Sequence, residues 1–181
     1  METTAENNQT VTGLFEHAHQ AEQFYQAVLG TGIKKDAISI AMSEQSHKKH
    51  FALGALPGSE KTHLAGDAGR GALLGGATGG IATAIAAIAT NLVLPGIGLV
   101  FIGPLLAGLA GAAAGGAIGA MVGYGFPKEQ AISYHEGIQK GNILISVVPD
   151  NEQQRETVET LFNTYGGTAI YVGASGAPNA E

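Results

Sequence analysis

Histidine pairs are the residues of this sequence whose type and spacing come nearest to a metal site. His17 and His19 lie two residues apart, and His47 and His50 lie three apart, with His63 further along the chain. Imidazole nitrogens bind zinc, but side chains two apart on a helix point in different directions. The two lysines between His47 and His50 repel a cation. We therefore predict no metal site and interpret these histidines as solvated side chains.

A glycine-rich stretch offers a second kind of chemistry, the binding of phosphate by backbone N–H groups. Residues Gly66–Gly71 contain three glycines and Arg70, and they precede a predicted helix. No Gly-Lys-Ser/Thr sequence follows these glycines, and no apolar strand leads into them. We therefore predict no nucleotide or other cofactor, and we interpret Arg70 as an anchor at the end of an apolar segment.

The remaining ionisable groups form no pattern that is typical of an enzyme. Glu152, Glu156 and Glu159 fall on the exposed side of a predicted helix, and the chain has no cysteine and no His-Glu-x-x-His motif. The net charge of −6 and the pI of about 5.4 argue against a large basic surface for nucleic acid. The sequence thus predicts a protein without catalytic residues that does not bind nucleic acid, and it leaves a small-molecule ligand open.

An uncharged block of 57 residues, Gly71 to Pro127, is the most biased part of the chain. Glycines recur in it at intervals of four, which leaves bare backbone on one face of a helix and lets a second helix approach closely. We predict that this face makes helix–helix contacts. The predicted contact positions are Gly71, Gly75, Gly79, Gly111, Gly115, Gly119 and Gly123.

The same block predicts a helical hairpin over residues 71–126. Its limbs, Gly71–Leu94 and Leu99–Tyr124, are joined by a turn containing Pro95, Gly96 and Gly98. A limb of about 24 residues is roughly 36 Å long, enough to cross a hydrocarbon core of about 30 Å. Arg70 and Lys128 flank the hairpin and would lie at the interface on one side of a bilayer.

The two ends of the chain repeat a strand–helix–strand pattern. Apolar spacing predicts a strand at 11–15, a helix at 16–29 and a strand at 36–42, and then a strand at 142–148, a helix at 152–165 and a strand at 168–172. Two such units predict an α+β fold, a ferredoxin-like βαββαβ sandwich with both helices on one face of an antiparallel sheet. The runner-up is two separate βαβ units in a larger or intermolecular sheet.

The predicted organisation divides the chain into six parts. They are a polar tail at 1–10, the ferredoxin-like domain in two halves at 11–42 and 142–173, a linker at 43–70, the glycine-zipper hairpin at 71–126, a third, amphipathic connecting helix at 127–141, and a tail at 174–181. The first ten residues lack the basic and apolar regions of a signal peptide, which predicts a chain that starts in the cytoplasm.

Two stretches of the sequence resemble known bacterial families. The segment VTGLFEHAHQAEQFYQAVLGTGIKKDAISIAMS resembles the opening of the YflT-type general stress protein domain, through Ala21-Glu22, a glycine-bearing turn and Asp36. The later stretch is similar to glycine-zipper bacterial stress proteins. Its matching positions are Pro95, Gly96, Ile97, Gly98, Gly103, Pro104, Ala131, Tyr134, Gly137 and Gly141. The resemblance implies a bacterial, stress-induced, non-enzymatic protein and brings no catalytic residues.

These features predict a stress-associated protein that assembles with copies of itself through the glycine-zipper hairpin. The hairpin would be embedded in the inner membrane, with lipid as a partner and both chain termini in the cytoplasm. One alternative is a soluble, cytoplasmic homo-oligomer, such as a shell, ring or filament, with the hairpins buried in its core. A second alternative is a module that binds or senses a small molecule at the sheet face.

Overall fold

The computed structural model describes residues 9–51, 91–94, 98–103 and 116–174. Within these ranges six strands and five α-helices form. They are β1 Gln9–Phe15, α1 Ala18–Gly30, β2 Ile38–Ser43, α2 Glu44–Phe51, β3 Asn91–Leu94, β4 Leu99–Ile102, α3 Gly116–Gly123, α4 Lys128–Gln139, β5 Ile143–Val147, α5 Glu152–Thr164 and β6 Thr168–Ala174. The strands and helices predicted for the two ends of the chain are confirmed to within two residues at each boundary.

The six strands form one antiparallel sheet in the order β3-β4-β2-β5-β1-β6. The two strand–helix–strand units interleave in it, because β5 lies between β1 and β2, and β1 lies between β5 and β6. Val11 pairs with Val147 on one side and with Val172 on the other. The structure is of the mixed α/β kind, which is compatible with the α+β class predicted from the sequence.

Helices α1 and α5 cover one face of the sheet. Helix α1 buries Ala21, Phe24, Tyr25 and Val28, which are spaced three and four residues apart and so share one side of the helix. The ring of Phe162 from α5 lies 4.0 Å from that of Phe24, measured between centroids. Together with the apolar side chains of the four central strands, these rings form the first core.

The N-terminus of α5 is fixed by two side chains that serve free backbone groups. The Asn151 Oδ1 atom accepts a hydrogen bond from the backbone N–H of Gln154 at 2.9 Å. The Gln154 Oε1 atom accepts in return from the backbone N–H of Asp150, also at 2.9 Å. Asn151 is therefore the residue that caps this helix, a role for which the sequence offered both Asp150 and Asn151.

Helices α3 and α4 cover the opposite face of the sheet and make a third layer. They form a second core with Leu14, Leu99, Phe101 and Leu144 from the strands. Helix α4 lies so close to β1 that a Cβ atom on Gly137 would lie 2.6 Å from Leu14 Cδ1. The sheet is therefore buried on both faces, which explains why all five residues of β5 are buried.

The two helical limbs predicted for residues 71–94 and 99–124 agree with the structure only in part. Residues 116–123 are helical as predicted, in α3, but the prediction is wrong for β3 and β4. Residues 91–94 and 99–102 are strands, and β4 pairs with β2, whose backbone groups would otherwise form a sheet edge. Leu94 pairs with Leu99, so residues 95–98 connect two antiparallel strands rather than two helices.

The same strands shorten the segment that was predicted to cross a membrane. Helix α3 is packed on the sheet. Among the residues that the structure describes, none of the helices has both the length and the apolar character needed to cross a bilayer.

The linker predicted for residues 43–70 begins with a helix, α2, at Glu44–Phe51. Ser43 starts it, because the Ser43 Oγ atom accepts a hydrogen bond from the backbone N–H of Ser46 at 3.0 Å. Ser46 in turn donates its hydroxyl to the carbonyl of Gly141 at 3.0 Å. This bond ties α2 to the chain just after α4. The rest of that predicted linker lies outside the described residues.

Candidate functional site

Most of the residues predicted to make helix–helix contacts lie outside the described part of the chain. These are Gly71, Gly75, Gly79, Gly111 and Gly115, together with Pro95 and Gly96 of the turn and the anchor Arg70. Gly98 is described and has φ +67°, a left-handed conformation that favours glycine. Lys128 is exposed at the start of α4. Its predicted role as an interfacial anchor stays a prediction.

Helix α3 has two contrasting faces. Ala117, Ala120 and Met121 are buried against the sheet, with Tyr124 just beyond the end of the helix. The opposite, outer face carries Gly119, Gly123 and Val122, and Val122 is 42% exposed. A Cβ atom added to Gly119 or Gly123 would meet no described atom within 4 Å. The predicted contact of these two glycines with another helix therefore stays a prediction, and their partner is not among the described residues.

The ionisable groups of the described residues form no metal-binding cluster. His17 and His19 are exposed at the start of α1. The described residues include no group of three or more His, Asp or Glu side chains close enough to hold a metal ion. Arg155 forms ion pairs with Glu152 and Glu159 on the surface of α5, and its hydrogen bond lowers the pKa of Glu152. These pairs follow the spacing of neighbours on a helix and account for that shift without a catalytic role.

Tyr134, in α4, joins the helix layer to an irregularity in the sheet. Thr12 pairs with Tyr171 and Leu14 pairs with Thr168, so β6 has one residue more than β1 in this interval, a β-bulge. Ala169, in the bulge, has φ +50°. The Tyr134 hydroxyl lies 2.9 Å from the Ala169 carbonyl and 3.1 Å from that of Thr12, and it can donate to either.

The Ala169 carbonyl has a second donor, Gln130 Nε2, at 2.9 Å. Both donors come from α4, so this helix holds the bulge in place. Burial raises the pKa of Tyr134 far above its usual range, which keeps the hydroxyl protonated and able to donate.

Hydroxyl side chains line the middle of the second sheet face beneath the helices. Thr12 Oγ1 and Ser146 Oγ lie 2.8 Å apart, and Ser39 pairs with Ser146 on the neighbouring strand. The Ser39 and Thr10 hydroxyls are buried and have no hydrogen-bond partner among the described residues. Neutral hydroxyls without a neighbouring base or acid are not activated nucleophiles, so this row gives no catalytic arrangement.

Two of the cavities among the described residues are, respectively, small and open. One of about 10 Å³ is lined by Thr10, Gly125, Gly173 and the rings of Tyr124, Phe126 and Tyr171, which is room for about one water molecule. An open depression of about 410 Å³ lies beside Ser43, Glu44, Gln45, Gly98 and Gln139. It lacks the enclosing apolar walls of a small-molecule pocket. Neither of these two cavities is an enclosed pocket for a small molecule.

Comparison with known proteins gives a family of undefined role. Residues 92–175 match the model of a family described as a protein of unknown function (DUF1269). No curated protein and no solved structure matches the chain. The matched range runs from β3 to the end of β6, so it covers the hairpin strands, the second helix layer and the last strand–helix–strand unit.

The resemblance to the YflT-type domain and to glycine-zipper stress proteins is wrong. The family that matches is neither of these, and its range includes the stretch that was assigned to the glycine-zipper proteins. The bacterial and stress-related roles rested on that resemblance, so they are not proposed for this chain.

Sequence reasoning missed the residues that fix the second helix layer. Tyr124, Phe126 and Tyr171 were not singled out, yet their rings form one cluster with Tyr134 at centroid separations of 5.5 to 6.2 Å. A usable signal was the nearly continuous apolar run in β5, Ile143–Val147, in which Ser146 is the one polar residue. Strands buried on both faces lose the alternation of apolar and polar residues.

Proposed function

We propose that this chain is a non-enzymatic protein that associates with copies of itself through the outer face of α3. The strand order of β1, β2, β5 and β6, with α1 and α5 on one face, supports a ferredoxin-like sandwich as the scaffold. The hairpin β3–β4 and the layer of α3 and α4 are then additions between its second and third strands.

The observation that carries the proposal is the unused space at Gly119 and Gly123. Glycine inside a helix costs about 0.5–1 kcal/mol relative to alanine. No described atom lies within 4 Å of a Cβ atom at either position, so packing within the described chain does not require glycine there. Close contact with the backbone of another helix would require it, and Val122 adds an exposed apolar side chain to the same face.

The chemistry of the surroundings supports an apolar partner. Helix α3 lies within the uncharged block that ends at Pro127, so no side chain on its outer face carries a charge. Two negatively charged copies can bring such faces together without placing like charges in contact. The other partners for this face are lipid and the chain's own residues 71–90, and the experiment separates them.

Detergent-free light scattering with size-exclusion chromatography tests the proposal on the full chain, and vesicle flotation is run alongside. We expect an oligomer that does not float. Gly119→Leu and Gly123→Leu should give smaller species that keep the wild-type circular dichroism, because a leucine side chain holds the helices apart. Gly30→Leu, at the exposed end of α1 with equal open space, is the matched control and should assemble normally.

Three results would contradict the proposal. A monodisperse wild-type monomer would show that the face meets no second copy. Normal assembly of both α3 leucine variants would place any contact elsewhere. Flotation with vesicles that the leucine variants abolish would identify lipid as the partner.

A further inference from the structure

Among the described residues, strand β6 is an outer edge of the sheet and lacks most of the usual protection of such an edge. It is seven residues long, and β1 is the one described strand that pairs with it. Proteins block edge strands with charges, proline, short length or bulges. Thr168–Ala174 contains no charged residue and no proline, whereas the opposite edge, β3, has only four residues.

The bulge protects only the beginning of β6. It lies at Ala169, whose carbonyl is already bonded to Gln130 and Tyr134 of the same chain. Beyond it the pairing with β1 is regular, from Tyr171 opposite Thr12 to Ala174 opposite Gln9. Alternate N–H and C=O groups of a regular edge strand point away from its neighbour. The stretch Ile170–Ala174 therefore presents an open row of donors and acceptors.

The first core is incomplete beside this stretch. Ile170 and Val172 of β6, with Leu161 and Tyr165 of α5, are only partly buried, although they pack against side chains that are fully buried. On the other sheet face Tyr171 is also only partly buried. Apolar side chains on both faces of the same edge leave apolar surface that a further strand would cover.

We infer that two copies of this chain pair antiparallel through β6, around a two-fold axis at Val172, to form one continuous sheet of twelve strands. The inference deepens the proposed self-association and rests on it, but it uses a different surface from α3. A two-fold axis at Val172, the middle of the open stretch, places Val172 directly opposite its equivalent and Ile170 opposite Ala174 of the other copy.

Charge favours a second copy as the occupant. No Asp, Glu, Lys, Arg or His occurs from Thr160 to Ala180, so β6 and the sequence on both sides of it are uncharged in a chain of net charge −6. An edge of this kind offers no charged group for an acidic or basic peptide to recognise, and two copies meet there without like-charge repulsion.

A cysteine at the proposed axis tests the pairing directly, because the natural chain has no cysteine. In an antiparallel pair the two Cβ atoms of directly opposite residues lie about 4.5–5.5 Å apart, close to disulfide distance. Under mild oxidation we expect Val172→Cys to give about tenfold or more covalent dimer than Gln26→Cys, an exposed control on α1. Equal, low yields from both variants would overturn the inference.

Hydrogen exchange provides a second test that needs no substitution. The outward N–H groups of Ile170–Ala174 should exchange more slowly as wild-type concentration rises, whereas exposed amides of α1 should not change. Exchange at β6 that does not depend on concentration would also overturn the inference.

The double variant Ile170→Lys/Val172→Lys separates the two surfaces. It should remove the β6 dimer and leave any assembly through α3, whereas Gly119→Leu should leave the β6 dimer. Circular dichroism shows whether the lysine variant is folded. If it is folded and its amides at 170–174 still exchange more slowly as concentration rises, the pairing is wrong even when α3 assembles as proposed. If the α3 leucine variants assemble like wild type and the lysine variant does not, the α3 proposal fails and the β6 pairing stands.

Discussion

Two buried tyrosines differ in the hydrogen bonding of their hydroxyl groups, and this difference predicts different effects of the same substitution. Tyr134 is 0% exposed and its hydroxyl lies within hydrogen-bond distance of the Thr12 and Ala169 carbonyls. Tyr25 is 1% exposed, and its hydroxyl has no partner among the described residues. Replacing either tyrosine by phenylalanine removes one oxygen atom and keeps the ring, so the pair isolates the contribution of the hydrogen bonds.

The magnitudes follow from the partners. A net hydrogen bond contributes about 0.5–1.5 kcal/mol, and an unpaired buried polar group costs about 1–3 kcal/mol. Tyr134→Phe removes one donor shared by two carbonyls, while Ala169 keeps its bond from Gln130. We expect Tyr134→Phe to lower the free energy of unfolding by about 1–2 kcal/mol, and Tyr25→Phe to leave it unchanged or raise it by up to about 1 kcal/mol.

Urea unfolding followed by circular dichroism measures both variants against the wild type. A change in the midpoint at constant slope reports stability alone. For a chain of this length, a loss of 1–2 kcal/mol corresponds to a fall in melting temperature of roughly 2–8 °C. Equal midpoints for the two variants, or a greater loss for Tyr25→Phe, would refute the assignment of these hydroxyl contacts.

Three further predictions concern backbone geometry, capping and pH. In urea unfolding, Gly103→Ala should destabilise the fold by about 3 kcal/mol and Gly98→Ala by about 1 kcal/mol. Both glycines have positive φ, but of the two only Gly103 would place a Cβ atom 2.7 Å from a backbone oxygen. Asn151→Ala should cost about 1 kcal/mol through loss of the α5 cap, and a melting temperature equal to that of the wild type would contradict this. Burial raises the pKa of Tyr134 above its unfolded value of about 10. The contribution of this residue to the free energy of unfolding should therefore be constant below pH 10 and fall above it by about 1.4 kcal/mol per pH unit. Tyr134→Phe should show a shallower fall in urea titrations over that range, and an unchanged slope would argue against the shift.

The ends of the chain could be predicted because their local signals agree with their final contacts. In α1 the apolar residues from Ala21 to Val28 follow the period of a helix, and those residues are the buried ones. In α5 the cap Asn151 and the stop at Gly166, with φ +77°, mark both boundaries. Here the propensity of the segment, its pattern of burial and its tertiary contacts all favour the same structure.

The middle of the chain could not be assigned in this way because short apolar runs fit either a helix or a strand. Leu99–Ile102 contains four apolar residues, too few to show a period, and its structure is decided by the free edge of β2. Glycines at intervals of four are equally compatible with a bilayer, a second copy or the same chain. The start of α2 did carry a local signal, since Ser43 followed by Glu44 is typical of a helix N-terminus.

The central position of β1 has a consequence for how this protein folds during synthesis. Thr12 and Ser146, which meet across β1 and β5, are 134 residues apart in the chain. At about 5–20 residues per second, the ribosome needs roughly 7–27 s to make the stretch between them. For that time the first strand is outside the ribosome without either neighbour. Until the last strand emerges, this apolar segment must therefore either make transient contacts within the nascent chain or bind a chaperone.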